Sequence, residues 1–224
     1  MNDLFFLKNY PEPAWNEKEI LRYAGVGNMT EELPPVLAEC RREAKPILEY
    51  RVYAKEFPLA VSGDEIDLGF AVWRSSSLAR NLSGCSRAVL FGATAGAGID
   101  RLIAKYSAVS PVKALLLQAI GSERVEAVCD MFCAELAGMA KKCGWAVRPR
   151  FSPGYGDLPL EYQRSFFGAT DLSRRLGVHL NESLLMFPSK SVTALVGLKA
   201  GEGACLPAGG ILLSGEYNDT FRIR

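Results

Sequence analysis

Apolar positions recur along this chain at two different periods, and each change of period marks a new element. Over residues 111–143, Leu115 and Ala119, and then Val125, Val128, Phe132, Leu136 and Met139, fall at three- and four-residue steps. That spacing collects them on one helical face and predicts a long core helix, with Gly121 as a local weak point. A short helix is predicted after Asn16, where Asn16 and Glu19 suit a capping box and Gly25 a stop. A second is predicted over 31–50, with Leu37 and Cys40 inward and Arg41, Arg42 and Glu43 in water. From Tyr50 the period falls to two, so 51–54 and 66–70 read as strands around a turn at 62–65. Residues 75–82 read as helix and 86–91 as a buried strand, followed by a glycine-rich turn at 92–98 and another helix. Residues 161–176 read as one helix with Phe166 and Phe167 inward and Gly177 as its cap. Residues 184–187 and 192–198 read as two strands in a hairpin-like connection through 188–191.

This order of elements predicts an α+β fold, and the short connections favour antiparallel pairing. The expected division is an N-terminal helical segment, 1–50, packed on a main domain, 51–200, with a loosely packed tail, 201–224. A chain of 224 residues, 49% hydrophobic and 23% charged, can bury one sizeable core. Its net charge of +1 gives no field to draw in nucleic acid. No apolar run reaches about 18 residues, and the first ten lack the basic start and long apolar core of a signal peptide. The expectation is a cytoplasmic protein with neither nucleic acid nor membrane as a partner. Cysteines 40, 85, 129, 133, 143 and 205 form no Cys-x-x-Cys pair, and His179 is the one histidine, so reduced core thiols and no metal site are expected.

Candidate chemistry concentrates in residues 148–161, RPRFSPGYGDLPLE. Three prolines stiffen this stretch, Gly154 and Gly156 let it turn or let a ligand reach backbone, and Tyr155 offers a flat ring with a polar tip. Such a loop makes good binding surface. On the long helix, Glu126 and Asp130 stand four apart and point the same way, a mildly destabilising pair unless a cation or polar ligand sits nearby. The turn at 92–98 invites a phosphate-binding reading. It lacks Gly-Lys-Ser/Thr and Gly-x-Gly-x-x-Gly spacing, and the predicted element order is not a βαβ repeat, so it reads as tight packing.

Arg150-Phe151-Ser152-Pro153-Gly154-Tyr155 resembles the Arg-x-x-Pro-Gly-Tyr signature of the S-adenosylmethionine-binding activation domain of cobalamin-dependent methionine synthase. The continuation Gly156-Asp157-x-Pro159 resembles the free-standing form of that domain. Leu180-Asn181-Glu182-Ser183, with Met186, Pro188, Ser191 and Val192, is similar to a second block of the family. The resemblance covers about 85–200 well and the N-terminal portion thinly. It departs at Glu161, where the large multidomain enzymes carry a histidine.

The resemblance implies a curved, largely antiparallel sheet with packed helices and the 148–161 loop crossing its open face. It implies a free-standing reactivation subunit, a methyltransferase component supporting reductive methylation of cob(II)alamin on a separate methionine synthase or related corrinoid protein. An electron donor such as flavodoxin would complete the system. The cofactors implied are S-adenosylmethionine and cobalamin, the latter carried by the partner, since this chain has no Asp-x-His-x-x-Gly sequence. Arg150 would meet the ligand's carboxylate and Glu126 its ammonium or sulfonium, with Asp130 as a lesser addition. Ser152 and Gly154 would offer backbone to the adenosine or amino-acid edges, and Tyr155 would stand near the transferred methyl. Ser191, Val192 and Thr193 would face the corrin. No general base or nucleophilic side chain is required, because the methyl sulfonium is itself the electrophile. Two other readings stay open: a non-catalytic module binding S-adenosylmethionine or a corrinoid protein, and an unrelated enzyme using the 92–98 turn for a phosphate ligand.

Overall fold

The computed structural model describes residues 5–27, 33–207 and 210–213. A five-stranded sheet forms its centre, in the spatial order β1 (Phe6–Asn9), β2 (Arg51–Pro58), β6 (Arg87–Thr94), β10 (Ser191–Ala200) and β7 (Trp145–Val147). Every neighbouring pair is antiparallel, and the sheet curls into a half-barrel, giving the expected α+β fold. Residues 88–94 of β6 are all buried because both faces of the sheet are covered, which is why this strand reads as an unbroken apolar run.

Strand alternation sends Val52, Ala54, Val89, Phe91, Ala93, Ala194, Val196 and Leu198 to one face. There they pack on Val125, Val128, Cys129, Phe132 and Leu136 of α5 (Pro111–Lys142). Tyr53, Leu90 and Leu195 point the other way. They meet α3 (Ser76–Asn81), α6 (Tyr162–Ala169), α7 (Leu172–Leu176) and a small sheet of β3 (Ala60–Ser62), β4 (Glu65–Asp67) and β5 (Val72–Arg74). A third cluster joins α1 (Glu17–Tyr23), α2 (Leu33–Ala44) and α4 (Gly98–Ser107) to the first half of α5. The long helix thus faces helices at one end and the sheet at the other. Its inward face rotates accordingly, and Leu115, expected inside, is 50% exposed.

The N-terminal segment is built into this core. It supplies edge strand β1, not anticipated from the sequence, and Phe6 is fully buried against Phe132. Fully buried Arg124 on α5 donates to the carbonyls of Pro13 and Ala14, both at 2.8 Å, and lies 4.3 Å from the Trp15 ring centre. Glu123 pairs with Arg124 and accepts the Asn16 N–H at 3.2 Å. Only half of the expected capping box therefore forms: the Asn16 side chain accepts from the Glu19 N–H, while Glu19 itself pairs with Arg22.

Several elements differ from the sequence reading. The helix expected over 31–50 is α2, ending at Ala44 before a 3₁₀ turn, Lys45–Ile47, where Pro46 cannot continue the α-helical bonds; positions 31 and 32 lie outside the described residues. The helix expected over 161–176 splits into α6 and α7, because Thr170 is extended and its hydroxyl bonds back to the Phe166 carbonyl at 2.8 Å. The expected hairpin is absent. β9 (Met186–Phe187) pairs with β8 (His179–Leu180), while β10 pairs with β6 and β7. The turn between them is pinned elsewhere: Asp100 accepts from the Ser189 N–H and hydroxyl, and Ala95 N–H donates to the Lys190 carbonyl. The described part of the tail is packed, not loose, since Ile211 and Leu212 join the first core cluster and Glu56 accepts the Ile211 N–H. The 148–161 loop follows the sheet edge beyond β7 instead of crossing an open face, for neither face is open.

Candidate functional site

The loop begins as a continuation of the edge. Arg148 N–H donates to the Gly197 carbonyl at 2.9 Å, and Phe151 exchanges both backbone bonds with Leu195 at 2.8 Å. Phe151 packs into the cluster on the α6 side, whereas the Arg150 side chain goes to α5. There its guanidinium reaches Glu126 at 2.7 Å and Asp130 at 2.5 Å. The two acids predicted to point the same way share this one cation. Partial burial opposes the charge on Arg150, but the bond to Asp130 and the fields of Asp130 and Glu126 outweigh it, holding the pKa above its usual range. Beneath it, burial pushes the thiols of Cys129 and Cys133 up, which keeps them protonated and unreactive at neutral pH.

Beyond Phe151, Pro153 and Gly154 occupy the middle of a turn closed by Tyr155 N–H to the Ser152 carbonyl at 3.1 Å. Gly154 has φ of +93°, the left-handed value that position demands in a type II turn. Tyr155 is thrown outward and is 71% exposed. The far limb is fixed by Asp157, whose carboxylate accepts the Ser75 hydroxyl at 2.5 Å and the N–H groups of Ser76 and Ser77 at the start of α3. Leu158 is buried beside it. The loop is thus anchored at both limbs, with Ser152, Gly154 and Tyr155 at its outer turn.

The strand residues separate by alternation. Val192 packs on the α5 side, half-buried, while Ser191 and Thr193 lie on the other face, buried. Ser191 bonds the Thr94 hydroxyl at 2.9 Å, and the Thr193 hydroxyl receives the Gln163 amide at 2.7 Å. Glu126, Asp130 and Arg150 are brought together; Ser191 and Thr193 are not with them. Sequence reasoning missed Asp157 as an anchor and Lys190, whose ammonium lies 3.1 Å from the Ser122 hydroxyl on α5. The signal for Lys190 was Gly121, read as a weak point of the helix: a Cβ there would lie 2.7 Å from Lys190 Cγ.

The glycine-rich turn is closed by protein. A Cβ at Gly92 would lie 2.5 Å from a Leu172 methyl, and one at Gly98 would lie 2.4 Å from the Ile47 carbonyl oxygen. Close packing is the physical reason for those glycines. Among the described residues, no three His, Cys, Asp or Glu side chains are grouped to hold a metal, and no helix is long and apolar enough to cross a membrane.

No family model and no curated protein matches the sequence. The fold is similar to a solved one: the crystal structure of the MetH reactivation domain bound to AdoHcy, with a TM-score of 0.61 over 86% of this chain and 78% of that one. The fold matches that of the MetH reactivation domain. Identity is 16%, so the likeness is one of architecture. The AdoHcy belongs to that structure.

Proposed function

We propose that this chain binds S-adenosylmethionine beside α5, at Glu126, Asp130, Arg150 and the turn Ser152–Tyr155. We further infer that it serves as the reactivation subunit of a separate cobalamin-dependent methionine synthase or related corrinoid methyltransferase. The observation that carries the reading is the meeting of one arginine with two carboxylates, within a fold whose solved counterpart was crystallised with AdoHcy.

The residues suit such a ligand. A carboxylate matches an α-ammonium or a sulfonium, and a guanidinium orients a carboxylate through two parallel bonds. Glu126 and Asp130 provide the first, and Arg150 holds Glu126 in a fixed direction. The outer turn offers exposed backbone at Gly154 and the ring of Tyr155 for the adenosine or the methyl end. Bound S-adenosylmethionine would supply a methyl group on a sulfonium, already activated for transfer. The work left to this chain is to bind and to orient, with no proton to move. Cobalamin would be carried by the partner, meeting this domain beside Val192 and Tyr155, and an electron donor such as flavodoxin would deliver the reducing equivalent.

Calorimetry with S-adenosylmethionine, S-adenosylhomocysteine and ATP tests the binding step. Binding of the first two, weakened about 10- to 100-fold in Arg150→Ala and Glu126→Gln, is expected from the loss of a charge-assisted bond. ATP binding at the same site, or no effect of either substitution, refutes it. Adding a corrinoid partner in the cob(II)alamin state with reductant then tests the reaction, read by the methylcobalamin spectrum. Ligand binding without that spectrum identifies a non-catalytic binding module.

A further inference from the structure

Lys190 carries a half-buried ammonium for which no ion pair exists among the described residues. Its position is not incidental. The stem lies against Gly121, where any larger residue would displace it, and Nζ donates to Ser122 Oγ at 3.1 Å. The backbone is held on both sides. Its carbonyl accepts from Ala95 N–H at 2.8 Å, and Ser189 before it is bonded to Asp100 through N–H and hydroxyl. Burial lowers the pKa of this ammonium, with Asp100 opposing in part while engaged with Ser189. A lysine ordinarily extends its charge into water; this one is folded inward against a helix, and the field of Asp100 offsets its desolvation only in part.

Ser122 and Glu126 stand one turn apart on α5, which places their Cβ atoms about 5–6 Å from each other. The hydroxyl that receives Lys190 and the Glu126 carboxylate are therefore neighbours along one helix. Arg150 approaches Glu126 from the loop side and is already bonded to two carboxylates. The zwitterionic end of an amino acid needs one partner of each sign within a few ångströms. Arg150 is committed to acids of the protein; Lys190 is not.

We propose that Lys190, with the Ser122 hydroxyl, is the carboxylate subsite for the amino-acid end of the ligand, while Glu126 takes its ammonium and Arg150 acts as the positioning residue that aims Glu126. This rests on the ligand reading above and reassigns the carboxylate from Arg150. It also explains why a helix as long as α5 tolerates a glycine facing the strand. Gly121 is the space through which Lys190 passes.

The test compares S-adenosylmethionine with its decarboxylated analogue, which keeps the amine and sulfonium. The unmodified protein is expected to prefer the carboxylated ligand by about 10- to 100-fold, the value of one charge-assisted bond. Lys190→Met keeps the stem against Gly121 and is expected to shrink that preference below about threefold, with Lys190→Arg restoring part of it. Arg150→Met is expected to weaken both ligands while leaving the preference in place. Should Lys190→Met keep the preference, or Arg150→Met abolish it, the assignment of Lys190 fails and the ligand reading survives. Should the unmodified protein bind neither ligand, both fail together. A separate readout is the Lys190 side-chain ¹⁵N resonance: its pKa should rise when the carboxylated ligand is added and stay unchanged with the analogue.

Discussion

The Asp157 carboxylate accepts the Ser75 hydroxyl at 2.5 Å, so a residue of the candidate loop braces the N-cap of a helix, 82 positions earlier in the chain. Ser75 in turn accepts the Leu78 N–H, which makes a short relay from the loop into α3. The Ser75 bond, followed by the N–H groups of Ser77 and Ser76, lowers the Asp157 pKa to about 2 against an ordinary 3.8. A depressed folded-state pKa stabilises the fold above the unfolded value, and that contribution is lost as pH falls through the folded value. Asp157→Asn is therefore expected to be less stable than the unmodified protein at pH 7, with the gap closing between about pH 4 and pH 2. Urea unfolding across that range checks it; a gap independent of pH assigns the loss to packing.

The triad at Arg150 should respond unequally. Asp130 is 72% exposed, so Asp130→Asn is expected to change stability by less than about 0.5 kcal/mol. Arg150→Ala leaves two acids one turn apart without their cation and should destabilise by about 1 kcal/mol at low salt, less at high salt. Chemical denaturation at two ionic strengths separates the two variants.

Glycines offer a contrast in sign. Gly92→Ala forces a methyl against Leu172 and is expected to destabilise by about 1–3 kcal/mol. Gly138 lies in α5 with nothing within 4 Å of an added Cβ, so Gly138→Ala should stabilise by about 0.5–1 kcal/mol through helix propensity alone. Thermal midpoints moving in opposite directions would bear this out.

Arg124→Ala removes a fully buried guanidinium and strands Glu123, 4% exposed, without its partner. Breaking one side of a buried pair costs about 3–5 kcal/mol. The double substitution Glu123→Leu with Arg124→Met should recover much of that loss. Proteolysis near Trp15 should accelerate in the single variant, since the carbonyls of Pro13 and Ala14 lose their donor.

Local chemistry alone made much of this protein legible. The step of three and four along 111–143 specified α5, an unbroken apolar run specified β6, and Gly154 marked a place where the chain can turn, because glycine takes the positive φ found there without strain. The spacing of Glu126 and Asp130 fixed that they point together, since four residues make about one helical turn. Tertiary structure decided the partners. Periodicity records which face of an element is apolar but not what covers it. Hence periodicity alone pairs β9 with the wrong strand, leaves Ile211 and Leu212 in a loose tail, and shows Gly121 as a weakness without its neighbour Lys190. Asp157 bracing the N-cap of α3 and Arg150 joining two acids of α5 depend on contacts between distant parts of the chain, which only folding brings within hydrogen-bond reach.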